Sequence, residues 1–304
     1  MRTFGMIGKY TLWTAGHYMR RLRNDEFPGV AVLGYHGVRA DHWPSGTMTF
    51  EGLHVRAHEL EEHCRLLRQS CHPISLHDWQ SALNGGPSLP ERPVLMTFDD
   101  GYRSVFTLAC PILQRYAIPA VVFACSNPIE RQQLFWHDAV ARLRDEAAVE
   151  SLKGVAFDEW QRVTTEDQLP ATEDDPHAPL SIVELRALAE QPGVEIGSHT
   201  ITHPILSRAS LAEQREQLLR SKARLEAWIA RPVTAFAYPN GRPGQDYTAE
   251  TVNLARESGF TIAFSTHPGF ASVHESRWEF SRFLVLAGLT ASELAHRLCY
   301  SWRR

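Results

Sequence analysis

The chain has 304 residues, 43% of them hydrophobic and 22% charged, an ordinary globular composition that excludes a fibrous or disordered chain. Its formal charge of -4, from 31 basic and 35 acidic residues, argues against a nucleic-acid binder, which carries a basic excess. Length alone gives about two domains, although an α/β barrel of about 250 residues is a single one.

Residues 1–27 place Arg2, Lys9, Arg20, Arg21 and Arg23 among Phe4, Ile7, Tyr10, Leu12, Trp13 and Tyr18. Lys9 and His17 interrupt the apolar run of about 7–15 residues that a signal peptide needs. No run reaches the ~20 residues that span a bilayer. The segment fits peripheral membrane contact and a helix packed on its own domain equally well. Five cysteines, at 64, 71, 110, 125 and 299, include no CxxC, so no disulfide framework is expected. The expected location is cytoplasmic, with or without membrane association.

From residue 28 onward strands and helices alternate. A strand is predicted at 30–35, running into His36-Gly37, and helix at 51–70 from apolar residues at three- and four-residue steps. A short strand near Ile74–Leu76 and a helix at 78–83 precede the Gly85-Gly86-Pro87 break. A central strand at 93–98 leads to a helix at about 103–116, kinked or broken by Pro111. Another strand covers 120–124. Residues 127–180 break the rhythm and read as an insertion, with a helix at 136–150 and a solvated acidic loop ending Glu173-Asp174-Asp175-Pro176. Ser181–Glu184, Ser210–Glu213 and Thr290–Glu293 have the spacing of capping boxes. Strands are expected near 194–198, 234–238, 260–264 and 282–286, with helices at 211–229 and 247–258. This alternation predicts an α/β fold, a distorted (β/α) barrel of about seven parallel strands forming one domain, 28–304.

The central strand ends in Thr97-Phe98-Asp99-Asp100-Gly101-Tyr102, where carboxyl-terminal strand ends carry ligands in α/β folds. Two adjacent carboxylates in a dry site need a cation or a shared proton. His199 and His203, four residues apart after another strand, could share one face of a helical turn and complete such a cation site. Taken singly, the aspartates also fit a turn cap, and the histidines fit surface or core positions.

These two motifs together resemble the polysaccharide deacetylases, carbohydrate esterase family four, over about residues 30–290. The resemblance implies a divalent ion, of zinc type with other transition metals open, and removal of N-acetyl groups from amino sugars of a polysaccharide, oligosaccharide or glycolipid. It makes Asp99 the base and Asp100, His199 and His203 the metal ligands. It also assigns the backbone N–H of Tyr238, in Phe236-Ala237-Tyr238-Pro239-Asn240-Gly241, to stabilise the oxyanion. Ala237 stands where the family usually has an arginine, and the usual fourth and fifth motifs are absent at Ala263–His267 and Arg282–Val285. These departures resemble the poly-N-acetylglucosamine deacetylase branch, which implies His36 as general acid, with His267 as fallback and Arg282 as a substitute support for Asp99. Trp136-His137-Asp138 could line a sugar groove or pack in the core. The rival readings are an inactive carbohydrate-binding relative, a membrane-surface scaffold acting through 1–27, and a glycosidase whose two acids stand about 5–9.5 Å apart.

Overall fold

The computed structural model describes residues 6–272 and 274–301. Arg2 and Phe4 lie outside the described residues, as do the side chains of Ile7 and Tyr10. Ten strands are present among the described residues: β1 (Ala31–Tyr35), β2 (Val38–Arg39), β3 (Val55–Arg56), β4 (His72–Pro73), β5 (Pro93–Phe98), β6 (Ala120–Ala124), β7 (Val194–Ser198), β8 (Ala235–Ala237), β9 (Ile262–Phe264) and β10 (Phe283–Leu284). One curled sheet runs β10-β1-β5-β6-β7-β8-β9, with β4 added beside β5 and every pairing parallel. β2 and β3 form a separate pair.

The two-residue period of a strand decides what enters the barrel. Val32, Leu95, Val121, Phe123 and Phe264 form an inner apolar cluster, whereas Leu33, Met96, Val122 and Phe236 face the surrounding helices in a larger one. On β5 the inward series continues Leu95, Thr97, Asp99, so the first carboxylate points into the barrel mouth. On β7 it continues Gly197, His199. A side chain at Gly197 would strike the Phe123 ring, its Cβ only 2.4 Å from that ring's edge. The glycine therefore lets the inner cluster close beneath the histidine.

The three predicted capping boxes all form, each with its hydroxyl accepting from the N3 amide. Elsewhere the elements shift. Only 57–70 of the predicted 51–70 helix is α-helical, because β3 occupies 55–56. The strand expected at Ile74–Leu76 lies at 72–73, and Ser75 instead caps a helix beginning at Leu76. At 105–109 the helix widens to five-residue hydrogen bonds, then continues as Cys110–Tyr116. Pro111, which has no N–H to give, sits at that junction.

The insertion holds more helix than expected: Ser126–Arg131, Trp136–Leu143, Glu146–Leu152 and Phe157–Glu166. The single helix predicted at 136–150 is two, because the Asp145 side chain leaves the helix to cap Ala148 N–H at 2.7 Å. The acidic loop is only partly solvated. Asp175 is gripped by both terminal nitrogens of Arg142, at 2.6 and 3.0 Å.

At the amino terminus, helices Met6–Thr14 and His17–Asn24 lie against the last helix, Ala291–Tyr300. Tyr18 and Leu22 are buried there. Among the described residues, no helix is long and apolar enough to cross a membrane.

Candidate metal centre and active site

Asp99 and Asp100 follow β5, but the chain bends between them. Asp100 and Gly101 both have positive φ, 73° and 92°, and Gly101 N–H returns to the Asp99 carbonyl at 2.9 Å. A Cβ at Gly101 would press on Ala124, so the tight turn suits glycine. The bend sends the two neighbouring carboxylates in different directions.

Asp99 meets Arg282, which enters the barrel interior from the residue before β10 and is fully buried. Its Nη1 and Nη2 donate to the two carboxylate oxygens at 2.7 and 2.8 Å. Nη1 also donates to Thr97 Oγ1, and Nε to the Ser265 carbonyl. Burial, the largest single influence, would raise the Asp99 pKa, but the Arg282 charge, the neighbouring His199 and His36 and the Arg282 hydrogen bonds together outweigh it and hold the group at about 2.

Asp100 turns the other way. Its Oδ1 is buried without a hydrogen-bond partner and stands 3.5 Å from His199 Nε2 and 3.4 Å from His203 Nε2. The Ala237 carbonyl can only accept, so the 2.7 Å contact places a proton on His199 Nδ1 and leaves Nε2 its lone pair. Burial lowers the His199 pKa to about 4 and pushes His203 well below its ordinary value, which leaves both rings neutral. Burial, and then the Asp99 charge, push Asp100 upward. Three ligand atoms, one from each residue and all within 4.8 Å of one another, therefore converge. Ligands bonded to one ion at about 2.1 Å in a tetrahedral shell stand about 3.4 Å apart. The donor set and its spacing fit a divalent ion of that kind.

The histidines do not lie on a helical turn, as their spacing suggested. They sit on an irregular loop in which Thr200 and His203 both have positive φ, 71° and 59°. Such strain persists only where the surroundings enforce it. Thr200 Oγ1 accepts from His203 N–H at 3.0 Å, and Ser221 Oγ donates to the Thr200 carbonyl at 2.8 Å. Gln217 Oε1 accepts from the amides of Ile201 and Thr202, and its Nε2 donates to Thr202 Oγ1. Trp136 Nε1 donates to the His203 carbonyl at 2.9 Å.

His36, just past β1, lines the same cavity of about 430 Å³ as Asp99, Asp100 and the two histidines. Its Nδ1 is buried without a hydrogen-bond partner, and burial lowers its pKa. His267 is exposed and does not line this cavity, although its neighbour Thr266 does. Tyr238 requires a correction. Its amide donates to the Phe264 carbonyl at 3.2 Å, one residue beyond the β8–β9 ladder, and its hydroxyl donates to the Trp278 carbonyl. The amide assigned to the oxyanion is thus committed to the sheet.

Trp136 and His137 both line the cavity. Behind His137 lies a polar cluster that sequence reasoning missed. Tyr102 donates to Asp138 at 2.8 Å and contacts His137 Nε2 at 3.0 Å, while Thr49 bonds both Asp138 and His177. Gln217 was missed as well. Only its place on the helix after the histidine loop could have pointed to it.

A family model described as polysaccharide deacetylase matches residues 86–263, more than half of the chain. The chain belongs to the polysaccharide deacetylase family. This deacetylase is 24% identical to YxkH of Bacillus subtilis (strain 168) over 264 residues, 86% of the chain and 74% of that protein. Over 119 residues, 38% of the chain, it is 33% identical to the poly-beta-1,6-N-acetyl-D-glucosamine N-deacetylase of Escherichia coli (strain K12), and the match spans 17% of that longer protein. Its fold is similar to the Streptococcus pyogenes deacetylase PplD, solved with acetate, at a TM-score of 0.67 and 20% identity over 90% of this chain and 99% of that one. IcaB from Ammonifex degensii gives a TM-score of 0.63 at 21% identity, covering 90% and 98%.

Proposed function

We propose that the deacetylase hydrolyses the N-acetyl amide of amino sugars in a glycan, with zinc as its metal and Asp100, His199 and His203 as the ligands. The observation that carries this reading is the division of labour between adjacent acids. One is locked to an arginine and kept ionised, and the other faces two neutral imidazoles.

Asp100, His199 and His203 would hold a divalent ion whose charge would polarise the amide carbonyl and lower the pKa of a water. Asp99, ionised at neutral pH and fixed by Arg282, takes the proton of the attacking water. A carboxylate with a pKa near 2 is a weak base, so its placement rather than its basicity has to serve the transfer. His36, neutral when substrate arrives, first gains the proton that Asp99 has taken from the water, within the cavity the two share. As imidazolium it gives that proton to the departing nitrogen so that the amine can leave, and both groups end as they began. Neither acid is free to flank a glycosidic bond, which weighs against the two-acid glycosidase.

The test is acetate release from β-1,6- and β-1,4-linked N-acetylglucosamine oligomers by the zinc-loaded protein. Release that stops with a chelator and returns with zinc is expected; no acetate from any N-acetylated glycan would overturn the reading. For residues 1–27, the burial of Tyr18 and Leu22 against the last helix favours the packed-helix reading over membrane contact. Cosedimentation with anionic vesicles would contradict that preference.

A further inference from the structure

The insertion brings to the catalytic cavity one imidazole that the hydrolysis itself leaves without a task. His137 lines that cavity, and its ring meets the ring of His203 edge to face at 5.3 Å. Phe135 stacks on the same ring, and Phe50 meets it edge-on. Packed on these sides, the imidazole has little freedom to turn.

Its neighbours place the proton on this ring. Asp138 is fully buried, and its two oxygens accept from Tyr102 Oη at 2.8 Å and from Thr49 Oγ1 at 3.1 Å. Tyr102 has a single hydroxyl proton, and the carboxylate takes it. The 3.0 Å contact between Tyr102 Oη and His137 Nε2 must then run the other way, with Nε2–H donating. The far end of the cluster has the same polarity. His177 Nε2 lies 3.1 Å from the Thr49 carbonyl, which can only accept, so that nitrogen carries its proton and the Thr49 hydroxyl is free to donate to Asp138. Burial lowers the His137 pKa to about 4, so the ring is neutral at neutral pH. Its Nδ1 is left as a lone-pair acceptor, with no hydrogen-bond partner among the described residues.

We propose that His137 is a specificity-determining residue, whose Nδ1 accepts a hydrogen bond from the C3 hydroxyl of the sugar being deacetylated. The proposal rests on the deacetylase reading. The acetamido group of such a sugar stands on C2. Within a glycan chain C1 is taken up by the linkage, so the hydroxyl on C3 is the donor that arrives beside the amide. A fixed acceptor next to His203 meets that donor. A sugar that lacks the hydroxyl, or carries an ether in its place, leaves Nδ1 desolvated and unpaired, and is disfavoured for that reason.

The test uses the zinc-loaded protein with a β-1,6-linked disaccharide of N-acetylglucosamine and with its counterpart lacking both C3 hydroxyls. For the unsubstituted chain, kcat/KM for acetate release should fall about tenfold on the deoxy sugar, chiefly through KM. His137→Asn places a carbonyl oxygen near the position of Nδ1 and should keep part of that preference. His137→Gln reaches instead to the position of Nε2, and should no longer distinguish the two sugars. A preference that persists in His137→Gln, or is absent from the unsubstituted chain, overturns the proposal. Nitrogen NMR of the unsubstituted protein, labelled at histidine, reads the tautomer without any substitution. A proton on Nε2 and none on Nδ1 is expected, and the reverse tautomer overturns the proposal. Acetate from neither disaccharide, nor from any other N-acetylated glycan, would instead defeat the deacetylase reading.

Discussion

Arg282 holds both oxygens of Asp99, at 2.7 and 2.8 Å, from the residue before β10, 183 residues away in sequence. The resemblance to the family implies such a support for Asp99 from Arg282, in place of an arginine at the position of Ala237. Because both partners are buried, removing one leaves an uncompensated charge. Arg282→Ala should therefore destabilise the fold by roughly 3–5 kcal/mol and abolish turnover. Arg282→Lys keeps the charge but not the two-point grip, so it should retain more stability than activity. Urea denaturation alongside acetate release checks both, and a stable, active Arg282→Ala protein would refute the pairing's role.

The strained metal loop gives a second prediction. Gln217 bonds two of its amides and one hydroxyl, and it contacts no reacting atom. Gln217→Ala should weaken zinc binding about tenfold, a loss near 1.4 kcal/mol. Gln217→Glu keeps the acceptor but loses the donor to Thr202, so it should recover part of that affinity. Competition with a chromophoric chelator measures the difference. Equal zinc affinity in all three proteins would mean that Gln217 does not position the loop.

Two buried groups predict how stability responds to pH. His63, bonded to Tyr35 and to the Leu289 carbonyl, is lowered to about 4 by burial. Its unfolded form binds a proton more readily, so stability should fall as pH drops from about 6.5 toward 4. Asp99, held near 2, adds stability that is present above about 3.9 and lost as pH falls toward 2. Thermal melts of the unsubstituted chain and His63→Leu across pH 7 to 4 should diverge, with the histidine protein losing more of its melting temperature. Parallel curves would contradict this.

The sequence disclosed most of this architecture because its signals were local. Apolar runs at 93–98 and 194–198 became β5 and β7, and Ser210–Glu213 caps the helix that spans 211–229 as predicted. The acid pair and the two histidines meet because each follows the end of a parallel strand. What stayed hidden depends on long-range geometry. The five-residue unit from His199 to His203 fits a helix face on spacing alone, and hydrogen bonds from distant parts of the chain, among them Gln217, Ser221, Trp136 and the backbone amides of Ser126 and Asn127, impose the irregular loop. The amide of Tyr238 looks available until the neighbouring strand claims it. Helices 126–131 and 157–166 escaped notice because the first is short and the second lies in a polar stretch where packing on Trp136 and Trp160 outweighs local composition.

The roles of the two carboxylates are tested most directly by metal content measured side by side in Asp99→Asn and Asp100→Ala, each purified with zinc and analysed for bound ion and acetate release. About one zinc per chain and no turnover are expected for the first. For the second, neither zinc nor turnover is expected. Zinc retained by Asp100→Ala, or normal hydrolysis by Asp99→Asn, would contradict the roles given to the two carboxylates.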